Sequence, residues 1–307
     1  MKILYMGTPD FAVLPLEKLI EAGHEIVGVV TREDKPKGRG MKVFMPPVKE
    51  FALSAGLSVY QPQTLKDEAL MPLLQELSPE IIVVVAYGKL LPAYILNYPK
   101  YGCVNLHGSL LPKYRGSAPI QHAVLNGDLV TGVTTMLMDE GMDTGDILLK
   151  KEVVISESDT SESLFEKLSV VGSELLIDTV AAISLNQITP IPQDENEASY
   201  APPIKKDDAK IVWNKPSLDI LNLIRGSFSW PIAYTDSDIG RIKVYDAEIG
   251  AGNGTPGEVL ELDNNGLRIG TADSSIVIKR FQVESGKRMS PVEYFRGHPS
   301  IIGSFLK

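Results

Sequence analysis

The chain has 307 residues, 44% hydrophobic and 22% charged, which is room for two domains of ordinary size and excludes a collagen-like or broadly disordered chain. Thirty Lys and Arg against 39 Asp and Glu give a formal charge of −9. That balance excludes a general polyanion binder and confines any nucleic-acid contact to a local basic patch.

Along the chain, Ile3 to Met6 predicts a short buried strand, Gly7 to Asp10 a turn, and Phe11 to Glu21 a helix that stops at Ala22-Gly23. A second strand follows at Glu25 to Val30. Two nearly all-apolar strands around a helix imply a parallel sheet covered on both faces. The alternation continues with a helix near 47–55, a strand at 57–60, a helix near 68–77 and the central strand 81–86. Then come a strand at 103–107, a helix near 118–126, strands at 132–138 and 147–154, and a closing helix over 161–185. The pattern is that of an open, mostly parallel, doubly wound Rossmann-like α/β sheet, which places ligands beyond the carboxyl ends of its strands. The first turn, Gly7-Thr8-Pro9-Asp10, departs from G-x-G-x-x-G, so a dinucleotide cofactor is disfavoured.

Composition shifts near residue 186, and four prolines between 189 and 203 predict a stiff, extended linker. Beyond it, a helical segment at 217–226 precedes brief strands at 241–247, 257–262, 266–271 and 275–283, a pattern that suggests an OB-like β-barrel. The expected organisation is a first domain over 1–188, a linker over 189–206 and a second domain over 207–307. The last of these carries a charge of −1 and the preceding 206 residues −8. Arg32 to Glu50 reverses the trend with six basic residues against three acidic ones. The single cysteine permits neither an intrachain disulfide nor a cysteine-based zinc cage, so a reducing compartment fits. The longest apolar run, Ile81 to Ala86, is too short to span a bilayer, and Met1 to Gly7 carries no secretory pattern. No membrane association and a cytoplasmic location are expected.

The strongest chemical signal is Gly102-Cys103-Val104-Asn105-Leu106-His107-Gly108-Ser109-Leu110-Leu111-Pro112. Alternate residues of a strand share a face, so Asn105 and His107 point the same way. Asn offers N–H donors and His a group that titrates near neutrality, a pair suited to a carbonyl that gathers negative charge during acyl transfer. A satisfied polar pair at a strand end would read the same. The acidic run Asp139-Glu140-Gly141-Met142-Asp143-Thr144-Gly145-Asp146 lacks calcium-loop spacing, which disfavours a metal. It is either a solvated turn or the source of a carboxylate that holds the His107 tautomer. Cys103, alone in a strand, reads as an inert core thiol. In the basic loop, Lys35, Lys37, Arg39 and Lys42 could meet phosphates beside an apolar Phe44-Met45 wedge, or simply be solvated.

These residues resemble the methionyl-tRNA formyltransferase family over nearly the whole chain. The resemblance rests on Met6-Gly7-Thr8-Pro9-Asp10-Phe11-Ala12, Gly38-Arg39-Gly40, Asn105-Leu106-His107-Gly108-Ser109-Leu110-Leu111-Pro112, Tyr114-Arg115-Gly116-Ser117-Ala118-Pro119, Gly141-Met142-Asp143-Thr144-Gly145-Asp146 and Trp230-Pro231. It implies a Rossmann-like formyltransferase domain with an OB-like, tRNA-binding carboxy-terminal domain. The implied reaction transfers the formyl group of 10-formyltetrahydrofolate to methionyl initiator tRNA, releasing tetrahydrofolate, in a monomer that needs no metal. By resemblance, Asn105, His107 and Asp143 are catalytic, Ser109, Leu110, Leu111 and Pro112 contribute to the folate site, and Lys35, Lys37, Arg39 and Lys42 contact tRNA. Met41 departs from the family, where a basic residue commonly follows Gly-Arg-Gly.

Overall fold

A computed structural model describes residues 1–37 and 42–307, which fall into two compact units. The first comprises Met1–Pro119, Val130–Val154 and Phe165–Ala201; the second comprises Ile120–Leu129, Ile155–Leu164 and Pro202–Lys307. The division after Ala201 falls inside the proline-rich run that composition marks as a linker.

The first unit begins with strand β1 (Lys2–Gly7), helix α1 (Val13–Glu21) and strand β2 (Glu25–Val30). Gly23, at φ +80°, ends α1 in the left-handed region that favours glycine. A short antiparallel hairpin follows, β3 (Lys35–Lys37) with β4 (Lys42–Phe44), where the sequence pattern predicts only a loop. Its strands are three residues long, too short to establish an alternation. Helix α2 (Pro47–Ser54), strand β5 (Val59–Tyr60), helix α3 (Met71–Leu77), strand β6 (Ile81–Val85), helix α4 (Ala93–Leu96) and strand β7 (Cys103–His107) come next. Helix α5 (Pro119–Leu125) falls almost wholly in the second unit, strands β8 (Val130–Leu137) and β9 (Ile147–Val154) belong to the first, and helix α6 (Ser161–Ser184) starts in the second and continues in the first from Phe165. Leu168, Leu175, Leu176, Val180 and Ile183 form the buried stripe of α6 at helical spacing. Each such side chain removed from water stabilises the fold by about 1.5–3 kcal/mol.

The sheet order is β5-β2-β1-β6-β7-β8-β9. The strands from β5 to β7 are parallel, β8 is antiparallel to both its neighbours, and β9 therefore runs again in the direction of β7. All five residues of β6 and all five of β7 are buried, as expected for strands covered on both faces. The chain winds outward in one direction from β1 to β5 and in the other from β6 to β7. The point of reversal lies at the carboxyl ends of β1 and β6, beside β7, which is where sheets of this kind bind their ligands.

In the second unit, helix α7 (Ser217–Gly226) packs on a five-stranded antiparallel sheet of order β10-β11-β14-β13-β12, and α8 (Pro291–Phe295) follows the last strand. The strands are β10 (Tyr234–Ser237), β11 (Gly240–Gly250), β12 (Val259–Asp263), β13 (Gly266–Gly270) and β14 (Ser275–Val283). Among the described residues no ladder joins β10 to β12. The final segment instead touches both edges: Lys307 exchanges backbone hydrogen bonds with Asp236 of β10, and Gly303, Ser304 and Leu306 bond to Val259 and Gly257. No described helix is long and apolar enough to cross a membrane.

Candidate active site

Strand β7 carries Cys103, Asn105 and His107 on one face. At its start Cys103 lies against α4, its Sγ 3.6 Å from the Ile95 carbonyl, and burial pushes the thiol up to about 12. A thiol so rarely ionised is no nucleophile. At the other end, Asn105 and His107 remain only 8% and 6% exposed. No hydrogen bond engages the Asn105 side-chain amide among the described residues, which leaves it open to a ligand.

His107 is oriented by its own chain. Its Nε2 donates to the Tyr114 carbonyl at 2.9 Å, since a carbonyl can only accept, and the Nδ1 edge faces Asp143 Oδ1 at 3.7 Å. The other carboxylate oxygen, Oδ2, accepts the Gly116 N–H at 2.7 Å. Asp143 itself stands at φ +55°, a left-handed conformation uncommon for a residue with a side chain, and one that recurs at functional sites. Its turn tolerates no bulk: a Cβ on Gly145 would collide with the Leu137 carbonyl. Among the described residues no group of three or more His, Cys, Asp or Glu is placed to hold a metal ion.

The run 109–112 is the turn after β7. Ser109 Oγ donates to the Lys113 carbonyl at 2.6 Å, and Leu111 packs with Met136 and Ile147. Thr134 Oγ1 donates to the Ser109 carbonyl and accepts the Leu111 N–H, pinning the turn to β8. Side-chain surface in this run is therefore concentrated at Leu110, the half-buried member.

Three residues without an assigned role converge on the same place. Arg115, wholly buried, donates to Gln193 Oε1 through Nε and Nη2 and pairs with both carboxylate oxygens of Glu195 at 2.7 and 2.9 Å. Gln193 Nε2 donates in turn to the carbonyls of Asp143 and Gly145. The Arg115 hydrogen bonds hold the Glu195 carboxyl below the usual range. Of the basic loop, Lys35 is exposed on β3, Lys37 and Lys42 lie in the hairpin backbone, and Arg39 lies outside the described residues. Lys49 at its end is already taken, bonded to Asp34 and Gln61.

A Rossmann-like sheet that ends in an Asn-x-His strand facing an acidic turn belongs to a known class. The chain is a member of the formyl transferase family, whose formyl transferase domain matches residues 1–180 and whose C-terminal domain matches residues 203–299. Its relatives narrow the class to the methionyl-tRNA formyltransferases. It is 49% identical to the methionyl-tRNA formyltransferase of Thermodesulfovibrio yellowstonii, over 96% of this chain and 95% of that one. It is 45% identical to that of Acetivibrio thermocellus, over 100% and 99%. Among solved structures, the N-formyltransferase from Helicobacter canadensis in complex with folinic acid and dTDP-3-aminofucose has a TM-score of 0.69 at 21% identity. The match covers 94% of this chain and 100% of that one, and is a likeness of fold.

Proposed function

We propose that this chain transfers the formyl group of 10-formyltetrahydrofolate to the α-amino group of methionyl initiator tRNA, in the cytoplasm. The observation that carries the reading is full-length agreement, at 41–49% identity, with relatives that bear that activity in their names. The methionyl nitrogen bonds to the formyl carbon, the bond from that carbon to the folate nitrogen breaks, and tetrahydrofolate leaves with a proton. Asn105 donates to the oxygen that becomes negative in the transition state. His107 has Nε2 committed to a backbone carbonyl, so its Nδ1 edge is the one that serves the reaction. Asp143 faces that edge at 3.7 Å, a gap that can tighten when substrate is bound. The turn 109–112 borders the folate, chiefly through its backbone and Leu110.

The second unit is read as an OB-like, partly open barrel that binds tRNA, with the final residues spanning its two edges. The basic loop meets the acceptor arm, Arg39 making the discriminating contact and Lys35, Lys37 and Lys42 meeting phosphates. Arg39→Ala is accordingly expected to weaken tRNA binding and flatten its salt dependence by up to about one unit of slope. An unchanged slope with an unchanged preference for initiator over elongator tRNA removes the loop from recognition. For the activity as a whole, the purified chain is offered methionyl initiator tRNA, a purine-precursor ribonucleotide and an amino-sugar nucleotide with the formyl donor. Formylation of the small acceptors alone defeats the reading.

A further inference from the structure

Gln193 lies in a segment whose sequence suggests only a spacer, yet its side chain is surrounded by groups that dictate its chemistry. On one side stand two backbone carbonyls, those of Asp143 and Gly145, at 2.9 and 2.7 Å; these accept and never donate. On the other stands the buried Arg115 guanidinium, which donates and never accepts, at 2.9 and 3.0 Å. Only a side chain with two N–H donors on one arm and an oxygen on the other satisfies both. A carboxylate would face two carbonyl oxygens, and an ammonium would face a cation.

The segment is further tied to the loop after β7. Ser199 Oγ accepts the Tyr114 N–H, the Ser199 carbonyl accepts the Arg115 N–H, and Ala201 N–H donates to the Arg115 carbonyl. The same loop supplies the Tyr114 carbonyl that orients His107 and the Gly116 N–H that holds Asp143. Gln193 therefore joins the two halves of the proposed catalytic pair from behind, through Arg115 on the His107 side and the peptide groups on the Asp143 side.

We infer that Gln193 is a positioning residue for formyl transfer, an amide clamp that fixes the Asp143 turn against the loop orienting His107; this inference rests on the formyltransferase reading above. Its amide oxygen and nitrogen are both committed to protein groups, so its loss is expected to act on turnover and not on binding. The full-length variants Gln193→Met, which keeps the volume without hydrogen bonds, and Gln193→Glu, which keeps only the acceptor for Arg115, are compared with the parent chain. Formylation of methionyl initiator tRNA is followed alongside thermal melting. Both variants are expected to lose about 10–100-fold in kcat, with KM for tRNA and for the formyl donor within about two-fold. Placed on an Asp143→Asn background, Gln193→Met is expected to add less than about two-fold, because the group it positions has already lost its charge. Should one variant fail to fold, the other carries the test. A kcat within two-fold of the parent, a loss confined to KM, or a loss that multiplies fully with Asp143→Asn overturns the inference. A parent chain inactive on methionyl-tRNA defeats the formyltransferase reading and the inference together, a result distinct from any of these.

Discussion

Replacing His107 by Ala is expected to lower kcat for formyl transfer by about 10²–10⁴-fold while leaving tRNA affinity nearly intact. The ring sits at the carboxyl end of β7, 6% exposed, with one nitrogen held by the Tyr114 carbonyl and the other edge toward Asp143. Removal deletes the one group on that face of the strand whose ordinary pKa lies near neutrality, since Cys103 beside it is a buried thiol pushed up to about 12. Stability should fall by only about 1 kcal/mol, the usual cost of one hydrogen bond, here that to Tyr114. Asn105→Ala acts on the same charge from two residues earlier and is expected to cost about 2.7–4 kcal/mol of transition-state stabilisation, the measured scale for one oxyanion donor. Steady-state kinetics with tRNA binding measured separately resolve both. Retention of more than a tenth of kcat in either variant would remove that residue from the chemistry.

Asp143→Asn is the sharper substitution, because it preserves shape. The amide oxygen can still accept the Gly116 N–H now bonded to Oδ2. Its NH2 group then faces His107 Nδ1 and donates to it, pinning the ring as the neutral tautomer whose only N–H points at Tyr114. The edge proposed to serve the reaction can then neither carry a proton nor release one. A comparable change in a serine-protease triad costs about 10⁴-fold through the wrong tautomer, and a loss of about 10²–10⁴-fold in kcat is expected here. Asp143→Ala should do no worse in turnover, but it frees the Gly116 N–H and should loosen the turn. If Asp143→Asn turned over at the parent rate, the carboxylate would be a structural brace for Gly116 and nothing more.

Much of this arrangement is legible in the sequence, and the reasons are physical. Buried strands such as Ile81–Val85 announce themselves because both faces of a parallel sheet exclude water, leaving an unbroken apolar run. Asn105 and His107 stand out because polar groups on such a strand need a reason to be there. The hairpin of β3 and β4, helix α4, strand β10 and helix α8 are too short for any period to register. Arg115 and Gln193 are illegible for a different reason. A lone cation in a glycine-containing loop reads as solvated, and a glutamine between prolines reads as spacer; only the path of the chain brings one to the other. The one available hint is the neighbouring Gly116, whose φ of +116° leaves a Cβ 2.8 Å from the Ala201 carbonyl, marking a place where two backbones meet. Ser109 is read from its motif as a ligand contact; its hydroxyl hydrogen goes to the Lys113 carbonyl, which leaves its lone pairs and backbone to meet a ligand.

The carboxy-terminal sheet has two outer strands, each of which would offer a row of bare amides to any passing chain. Residues 303–307 shield a stretch of both, through Asp236 on one side and Gly257 and Val259 on the other. Resistance to edge-to-edge aggregation in this sheet thus leans on residues 303–307, helped on the β10 margin by Ile211, whose N–H donates to the Tyr234 carbonyl; losing 303–307 would bare the β12 margin and part of the other.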